Sequence, residues 1–382
     1  MDVSDRSKLI VQSEIRNMTL ECTRVGGINL AQGVCDLEVP EVVIEGAYEA
    51  MRQGFNMYTR YDGLPVLRQA IAHKFREFNR MEVDPEGEIV ASAGATGAFY
   101  CTCMALLNPG DEVIILEPFY QYHVNTLLAV GAKPVCYALR PPDWSFDIDG
   151  IQALITDRTK AIVVNTPSNP CGKVFRKDEL RAIADLCIDN DVFLFTDEIY
   201  EYFVYDGLKH LSPGSFDDMR DRTVIISGYS KTFSITGWRI GYCVCDRKWA
   251  QMIGYINDLV YVNAPAPLQV GVAKGIMELP SSYYEGIAVD YQKRRDRMVA
   301  ALRQAGLEPH VPSGAYYILA DVSSLGKGSS KEAAMEVLRT KGIASVPGSA
   351  FYLNGGGEEL VRFCFAKKDE VLDRACRQLT RC

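Results

Sequence analysis

Thr223-Val-Ile-Ile-Ser-Gly-Tyr-Ser-Lys-Thr-Phe-Ser-Ile-Thr-Gly-Trp-Arg-Ile-Gly-Tyr242 opens on a short apolar run, Thr223 to Ile226, and sets Lys231 five residues beyond it. A run of this length reads as a buried strand. The lysine then stands at the mouth of that strand, among small and hydroxyl residues. Burial disfavours an ammonium and leaves the amine nucleophilic, which is the state Schiff-base chemistry needs. Arg239, eight residues on in Gly-Trp-Arg-Ile-Gly-Tyr242, is expected to return to the same pocket and hold an anion.

Outward from this stretch, strand-length apolar runs alternate with amphipathic ones. Strands are expected at 88–92, 111–116, 133–137, 161–164, 192–195 and 223–226, and helices at 97–107 and 177–187. Short apolar runs bounded by turn signals fit strands buried on both faces of a mainly parallel sheet. After Pro280 the texture changes. Residues 283–306 read as one long helix, with Arg294, Arg295 and Arg297 expected on exposed faces and Met298, Ala301 and Leu302 facing inward. Strand-like pieces at 315–319, 344–346 and 360–365 follow, then a helix at 368–379. The expected architecture is α/β: a large domain over 44–283 and a smaller α+β domain over 284–382. Residues 1–43 are expected to join the small domain.

A chain of 382 residues is long enough for two such units. Its net charge of −8 is dispersed, which argues against a nucleic-acid surface. There is no apolar run of membrane-spanning length, and the first residues lack the order of a secretory signal. The twelve cysteines contain no Cys-x-x-Cys, and the four histidines lack metal-ligand spacing, so neither a disulfide framework nor a zinc site is expected. Reduced thiols in a cytoplasmic protein are the expectation.

In an open parallel sheet, ligands bind beyond the carboxyl ends of the strands. Four polar clusters follow buried strands at that end: Gly94-Ala-Thr-Gly-Ala98, Asn165-Thr-Pro-Ser-Asn-Pro-Cys-Gly172, Thr196-Asp-Glu-Ile-Tyr200 and the Lys231 segment. Each alone is a common turn or strand end. Together they supply complementary parts of pyridoxal phosphate. Lys231 offers an amine to the aldehyde, and Asp197 a carboxylate to the ring nitrogen. Asn169 and Tyr200 are donors for the phenolic oxygen. The backbone N–H groups of Ala95 and Thr96, with Arg239, suit the phosphate. Tyr120, in Glu117-Pro-Phe-Tyr120, offers a flat partner for the ring face.

These segments resemble the fold-type I, class I/II aminotransferases over essentially the whole chain. The likeness is closest to the kynurenine aminotransferase/glutamine transaminase K branch. Asn165-Thr-Pro-Ser-Asn-Pro170, Gly-Lys-Val-Phe175, Val-Tyr-Asp-Gly207 and Lys231-Thr-Phe-Ser-Ile-Thr-Gly-Trp238 carry it. The resemblance implies an aspartate-aminotransferase-like fold, a homodimer, and amino-acid and 2-keto-acid substrates. It also implies that the Gly33 backbone and Arg362, with Asn169, meet the substrate carboxylate. By the same resemblance, Tyr58 and the segment Tyr261-Val-Asn-Ala-Pro-Ala-Pro-Leu-Gln269 serve the other subunit's site.

Two departures stand out. Gly228 occupies a position where the family often has serine. Ser230, Ser227 and Tyr229 are the candidates to replace its phosphate contact, with Ser230 favoured. Val262 and Asn263 stand where the kynurenine branch has Phe-His. No second cation is visible for an acidic side chain, so a neutral amino acid, aromatic or medium aliphatic, is the expected donor. Tyr120 and Tyr61 are expected to line the remainder of its pocket. The rival readings are a lyase on the same scaffold (β-elimination or an aminocyclopropane-carboxylate-type reaction) and a non-catalytic regulatory domain.

Overall fold

The computed structural model describes residues 2–10 and 12–381. After the short β1 (Ile28–Asn29), seven strands make the central sheet. They are β2 (Ile89–Ala93), β3 (Glu112–Glu117), β4 (Lys133–Ala138), β5 (Thr159–Asn165), β6 (Phe193–Asp197), β7 (Thr223–Gly228) and β8 (Ile240–Val244). Their order across the sheet is β2-β8-β7-β6-β5-β3-β4. The stretch from β7 to β4 is parallel, while β8 runs antiparallel between β2 and β7. The chain is therefore α/β, with one reversed strand near the edge.

Both faces of the sheet are covered. Along β5, Ala161 and Val163 pack with Val224 and Ile226 under the helices Gly94–Leu106 and Arg247–Tyr261. Ile162 and Val164 point the other way, towards Leu180 and Ile183 of the helix Lys177–Asp189. This explains the near-continuous apolar runs, because every residue of such a strand faces a core. Each fully buried aliphatic side chain contributes about 1.5–3 kcal/mol.

The C-terminal unit holds β9 (Glu308–His310), β10 (Tyr317–Asp321), β11 (Ile343–Ala344), β12 (Val346–Pro347) and β13 (Leu360–Cys364). Four of these form an antiparallel sheet in the order β12-β13-β10-β9. β1 pairs in parallel with β11, so the segment around Ile28 is tied to C-terminal strands. No helix of the described residues is long and apolar enough to cross a membrane. Eleven cysteines are free and nine of them buried; Cys382 lies outside the described residues.

One expectation fails in the helix Ser281–Gln304. Arg295 is buried, not exposed: its guanidinium forks onto Asp206 at 2.5 and 2.8 Å and donates to Pro312 O at 3.0 Å. The helix has a second packed side, against the turn at Asp206, and the arginine bridges that contact. Arg294 and Arg297 are only partly exposed, paired with acids of the helix Asp369–Leu379. A further buried network joins Glu198, Glu201 and His210, whose potential ligand atoms lie within 4.8 Å of one another. Lys74 already neutralises Glu201 at 2.5 Å, and Glu198 accepts from Ser212 at 2.7 Å, so the cluster is internally paired.

Candidate active site

The carboxyl ends of β2, β3, β5, β6 and β7 open onto one cavity of about 750 Å³. Gly33, Ala95, Thr96, Tyr120, Asn169, Asp197, Tyr200, Ser230, Lys231, Arg239 and Arg362 all line it. These residues come from both ends of the chain, and the fold brings them together. Tyr58 and Tyr61 do not line it. Tyr58 is 86% exposed, and Tyr61 packs edge-on against Tyr255 beside Gly254.

One end of the cavity is built for an anion. The helix Gly94–Leu106 starts directly from β2, and no side chain caps its first turn, which leaves N–H groups aimed outward. Arg239 bends over this terminus, donating to Thr236 O at 2.8 Å and to Ala93 O at 3.3 Å. Among the described residues it forms no ion pair. Gly94, at φ +74°, permits this approach, because a Cβ there would lie 2.1 Å from Arg239 Nη2. Gly228 is equally constrained. A Cβ at that position would meet Gly241 Cα at 2.8 Å and Ile240 O at 2.9 Å, so the β7–β8 pairing leaves no room for a serine. Of the three candidates to replace it, only Ser230 lines the cavity. Ser227 bonds Glu198 O and Glu201, and Tyr229 stacks on Phe233.

Lys231 lies at the centre. Burial pushes its pKa down, against the opposing pull of Cys35, Cys364 and Asp197, and its Nζ donates to Gly33 O at 3.3 Å. Asp197 ends β6 with a buried carboxylate that accepts from Ile199 N–H at 3.2 Å and lies 2.9 Å from His123 Nε2. Asn165 Nδ2 donates to Asp197 O at 2.9 Å, which locks the β5 and β6 ends together. Tyr200 OH and Tyr317 OH are 3.0 Å apart, and burial holds the Tyr200 phenol well above its ordinary pKa, so it stays a neutral donor. His123 escaped the sequence reading. Its signal was slight: it follows Tyr120 by one helical turn, and nothing in the spacing ties it to a carboxylate 74 residues later.

At the opposite end Arg362, fully buried on β13, donates from Nη1 to Asn169 Oδ1 at 2.9 Å and from Nη2 to Ala31 O at 2.5 Å. Its Nε is buried without a partner, and its guanidinium lies 4.2 Å from the Tyr317 ring centre. A buried cation paired only with neutral acceptors is costly unless an anion joins it.

The Aminotransferase class I and II family model matches residues 25–379. The chain belongs to the class I and II aminotransferases. Kynurenine–oxoglutarate transaminase 3 of Rattus norvegicus is 35% identical over 393 residues, covering 94% of this chain and 87% of that protein. An aspartate aminotransferase of Pyrococcus abyssi is also 35% identical, over 98% of this chain and 96% of its own. The solved structure of N-succinyldiaminopimelate aminotransferase from Mycobacterium tuberculosis superposes with a TM-score of 0.96 at 32% identity, covering 99% of each chain. The mainly parallel sheet and smaller α+β unit are thus the aspartate-aminotransferase-like, fold-type I arrangement.

Aminotransferases of this family depend on pyridoxal phosphate, and the cavity of this one fits that group. The uncapped helix terminus with an unpaired arginine suits a phosphate. A buried carboxylate, a neutral phenol and an amine whose pKa burial lowers surround the remaining space. In the same aminotransferase, Val260 and Tyr261 line this chain's own cavity, so the segment expected to serve the other subunit begins by facing its own. Asn263 Oδ1 accepts from Thr59 N–H at 3.4 Å, which places the Tyr58 and Asn263 segments side by side.

Proposed function

We propose that this aminotransferase takes the amino group of an L-amino acid with an uncharged side chain, aromatic or medium aliphatic, and passes it to a 2-keto acid. The composition of the cavity wall carries this reading. Its lysine and arginine side chains, among the described residues, are Lys231, Arg239 and Arg362. The first is the reacting amine and the second faces the anion end. Arg362 alone remains for a substrate carboxylate. Ile15, Tyr122, Thr126 and Val260 add neutral surface. A second carboxylate would be buried unpaired, at a cost of several kcal/mol. The Pyrococcus abyssi relative is named for aspartate, so the scaffold does not set this preference; the wall does.

What bound pyridoxal phosphate supplies is an aldehyde carbon and a ring that draws electrons from it. Lys231 Nζ would offer the amine that meets the aldehyde and would serve as the base that moves the proton from the substrate Cα. Asp197, oriented by His123 and the Ile199 N–H, holds a proton at the ring nitrogen. Asn169 and Tyr200 would donate to the ring oxygen, and Tyr120 would offer a flat partner for the ring. Ala95, Thr96, Ser230 and Arg239 hold the phosphate. Arg362, with Asn169 and the Gly33 backbone, grips the α-carboxylate and so orients the Cα.

The active form in this reading is a homodimer in which Tyr58 reaches the phosphate of the other subunit. Met57 and Leu259, 78% and 80% exposed near Tyr58 and Asn263, support it. The reading also divides the chain into a large cofactor-binding domain at 44–283 and a small domain at 284–382 joined by 1–43. The β1–β11 pairing supports this division. The free thiols suit a cytoplasmic protein. A panel of donors followed through the cofactor's absorbance tests the substrate class. Phenylalanine, methionine and glutamine are expected to outperform aspartate in kcat/KM, and a tenfold advantage for aspartate would overturn the reading.

A further inference from the structure

Glu117 ends β3 three residues before Tyr120, and its carboxyl group is buried with no lysine or arginine partner among the described residues. Burial pushes its pKa up. The donors that offset the burial are the Leu353 N–H, at 2.6 Å, and the Cys136 thiol. Leu353 lies just past the turn Gly348–Phe351, and Phe351 O accepts from Phe119 N–H at 3.0 Å. The Phe351 ring in turn lies 5.1 Å from the Arg362 guanidinium. Two hydrogen bonds therefore stitch the Tyr120 edge of the cavity to the segment that backs Arg362. The first belongs to the seven-stranded sheet and the second to the C-terminal unit.

A carboxyl with no counter-charge is an expensive way to fill space, since an apolar side chain would pack there without desolvating a charge. What it provides is a fixed acceptor for a loop N–H of the otherwise exposed Leu353. That loop has no strand pairing at Leu353 to fix it. Resting on the reading of Arg362 as the carboxylate grip, we propose that Glu117 is a positioning residue. By accepting from the Leu353 N–H, it sets where the Arg362 side of the cavity stands relative to the Tyr120 side. It thereby sets how tightly the amino-acid carboxylate is held.

The holoenzyme and its Glu117→Gln, Glu117→Met and Arg362→Gln forms test this. The readouts are KM and kcat with the most active donor of the panel, inhibition by 3-phenylpropionate, cofactor absorbance and Tm. Glutamine keeps an acceptor oxygen in place and is expected within twofold of the parent. Methionine fills the space without one. It is expected to raise KM and the inhibition constant together by about tenfold, the scale of a lost positioning hydrogen bond, with kcat and absorbance unchanged.

A fall in Tm alone, with KM and inhibition unchanged in Glu117→Met, would overturn the proposal; so would equal losses in the glutamine and methionine forms. If Arg362→Gln leaves inhibition intact, the carboxylate reading itself fails and the proposal with it. If Arg362→Gln abolishes inhibition while Glu117→Met does not, the positioning role alone fails. Should the methionine form not fold, amide exchange in the parent holoenzyme decides. Saturating 3-phenylpropionate is expected to slow exchange at Leu353, and unchanged exchange there would overturn the proposal.

Discussion

His123 Nε2 stands 2.9 Å from Asp197 Oδ2, with both side chains buried at the end of β6. The histidine fixes one carboxylate oxygen while the Ile199 N–H takes the other. The carboxylate is thus held in place before any ligand arrives. This arrangement makes Asp197 a preorganised charge rather than a mobile one.

Replacing Asp197 by asparagine keeps the shape and removes the charge that, in the proposed function, holds the ring-nitrogen proton. Turnover is expected to fall roughly 10²-fold or more, the scale of a preorganised electrostatic contact. His123→Phe, which leaves the carboxylate but frees one oxygen, is expected to lose less, about tenfold, with cofactor still bound. Steady-state kinetics of the two variants check this. Near-native turnover in Asp197→Asn would mean that another group holds the proton.

The depressed pKa of Lys231 has a consequence for the cofactor-free protein. A lysine whose folded pKa lies below its unfolded value of 10.5 destabilises the fold at neutral pH, because the unfolded chain binds the proton more tightly. Stability then rises with pH until the unfolded value is passed. Lys231→Met is therefore expected to raise the Tm of the cofactor-free protein at pH 7, and the gain should shrink as pH approaches 10.5. Thermal melts across that range give the answer, and a gain that does not depend on pH would contradict it.

Glu112 titrates in the opposite sense. Hydrogen bonds from Thr156 and Lys133, then Arg158, lower its pKa from 4.5 to about 2. Its contribution is present above pH 4.5 and lost as pH falls towards 2. Glu112→Gln is expected to melt below the parent at pH 7 and to converge with it near pH 2. Lys133 and Arg158 are largely exposed, so salt should narrow the gap.

If the proposed dimer shares its active sites, a mixing experiment is decisive for it. Tyr58→Ala and Lys231→Ala proteins, each nearly inactive, are expected to regain activity together once subunits exchange, because one site per heterodimer is then intact. A fully active monomer by sedimentation would rule this out.

Much of this site was legible because of where its residues fall relative to strands. Asp197, Asn169 and Lys231 each follow a buried apolar run within a few positions, so the strand pattern alone carries them to one end of the sheet. Arg362 was legible only through resemblance, since its neighbours Asn169 and Ala31 lie 193 and 331 residues away in sequence. β8 was hidden because Gly-Trp-Arg-Ile-Gly-Tyr242 has no continuous apolar run; Gly241 interrupts the strand, and a Cβ there would lie 2.3 Å from Ala95 N at the start of the helix Gly94–Leu106. Arg295 was placed on the wrong face because amphipathic periodicity assigns charges to solvent. Its partner Asp206 lies 89 residues earlier and leaves no local trace. Tyr61, expected in the cavity, instead packs beside Gly254.

The central claim is that Lys231 is the residue to which the cofactor is joined. Borohydride reduction of the purified holoenzyme, followed by proteolysis and mass spectrometry of the labelled peptide, tests it most directly. The account predicts a single pyridoxyl adduct on Lys231, absent from Lys231→Ala. An adduct on any other lysine would contradict it.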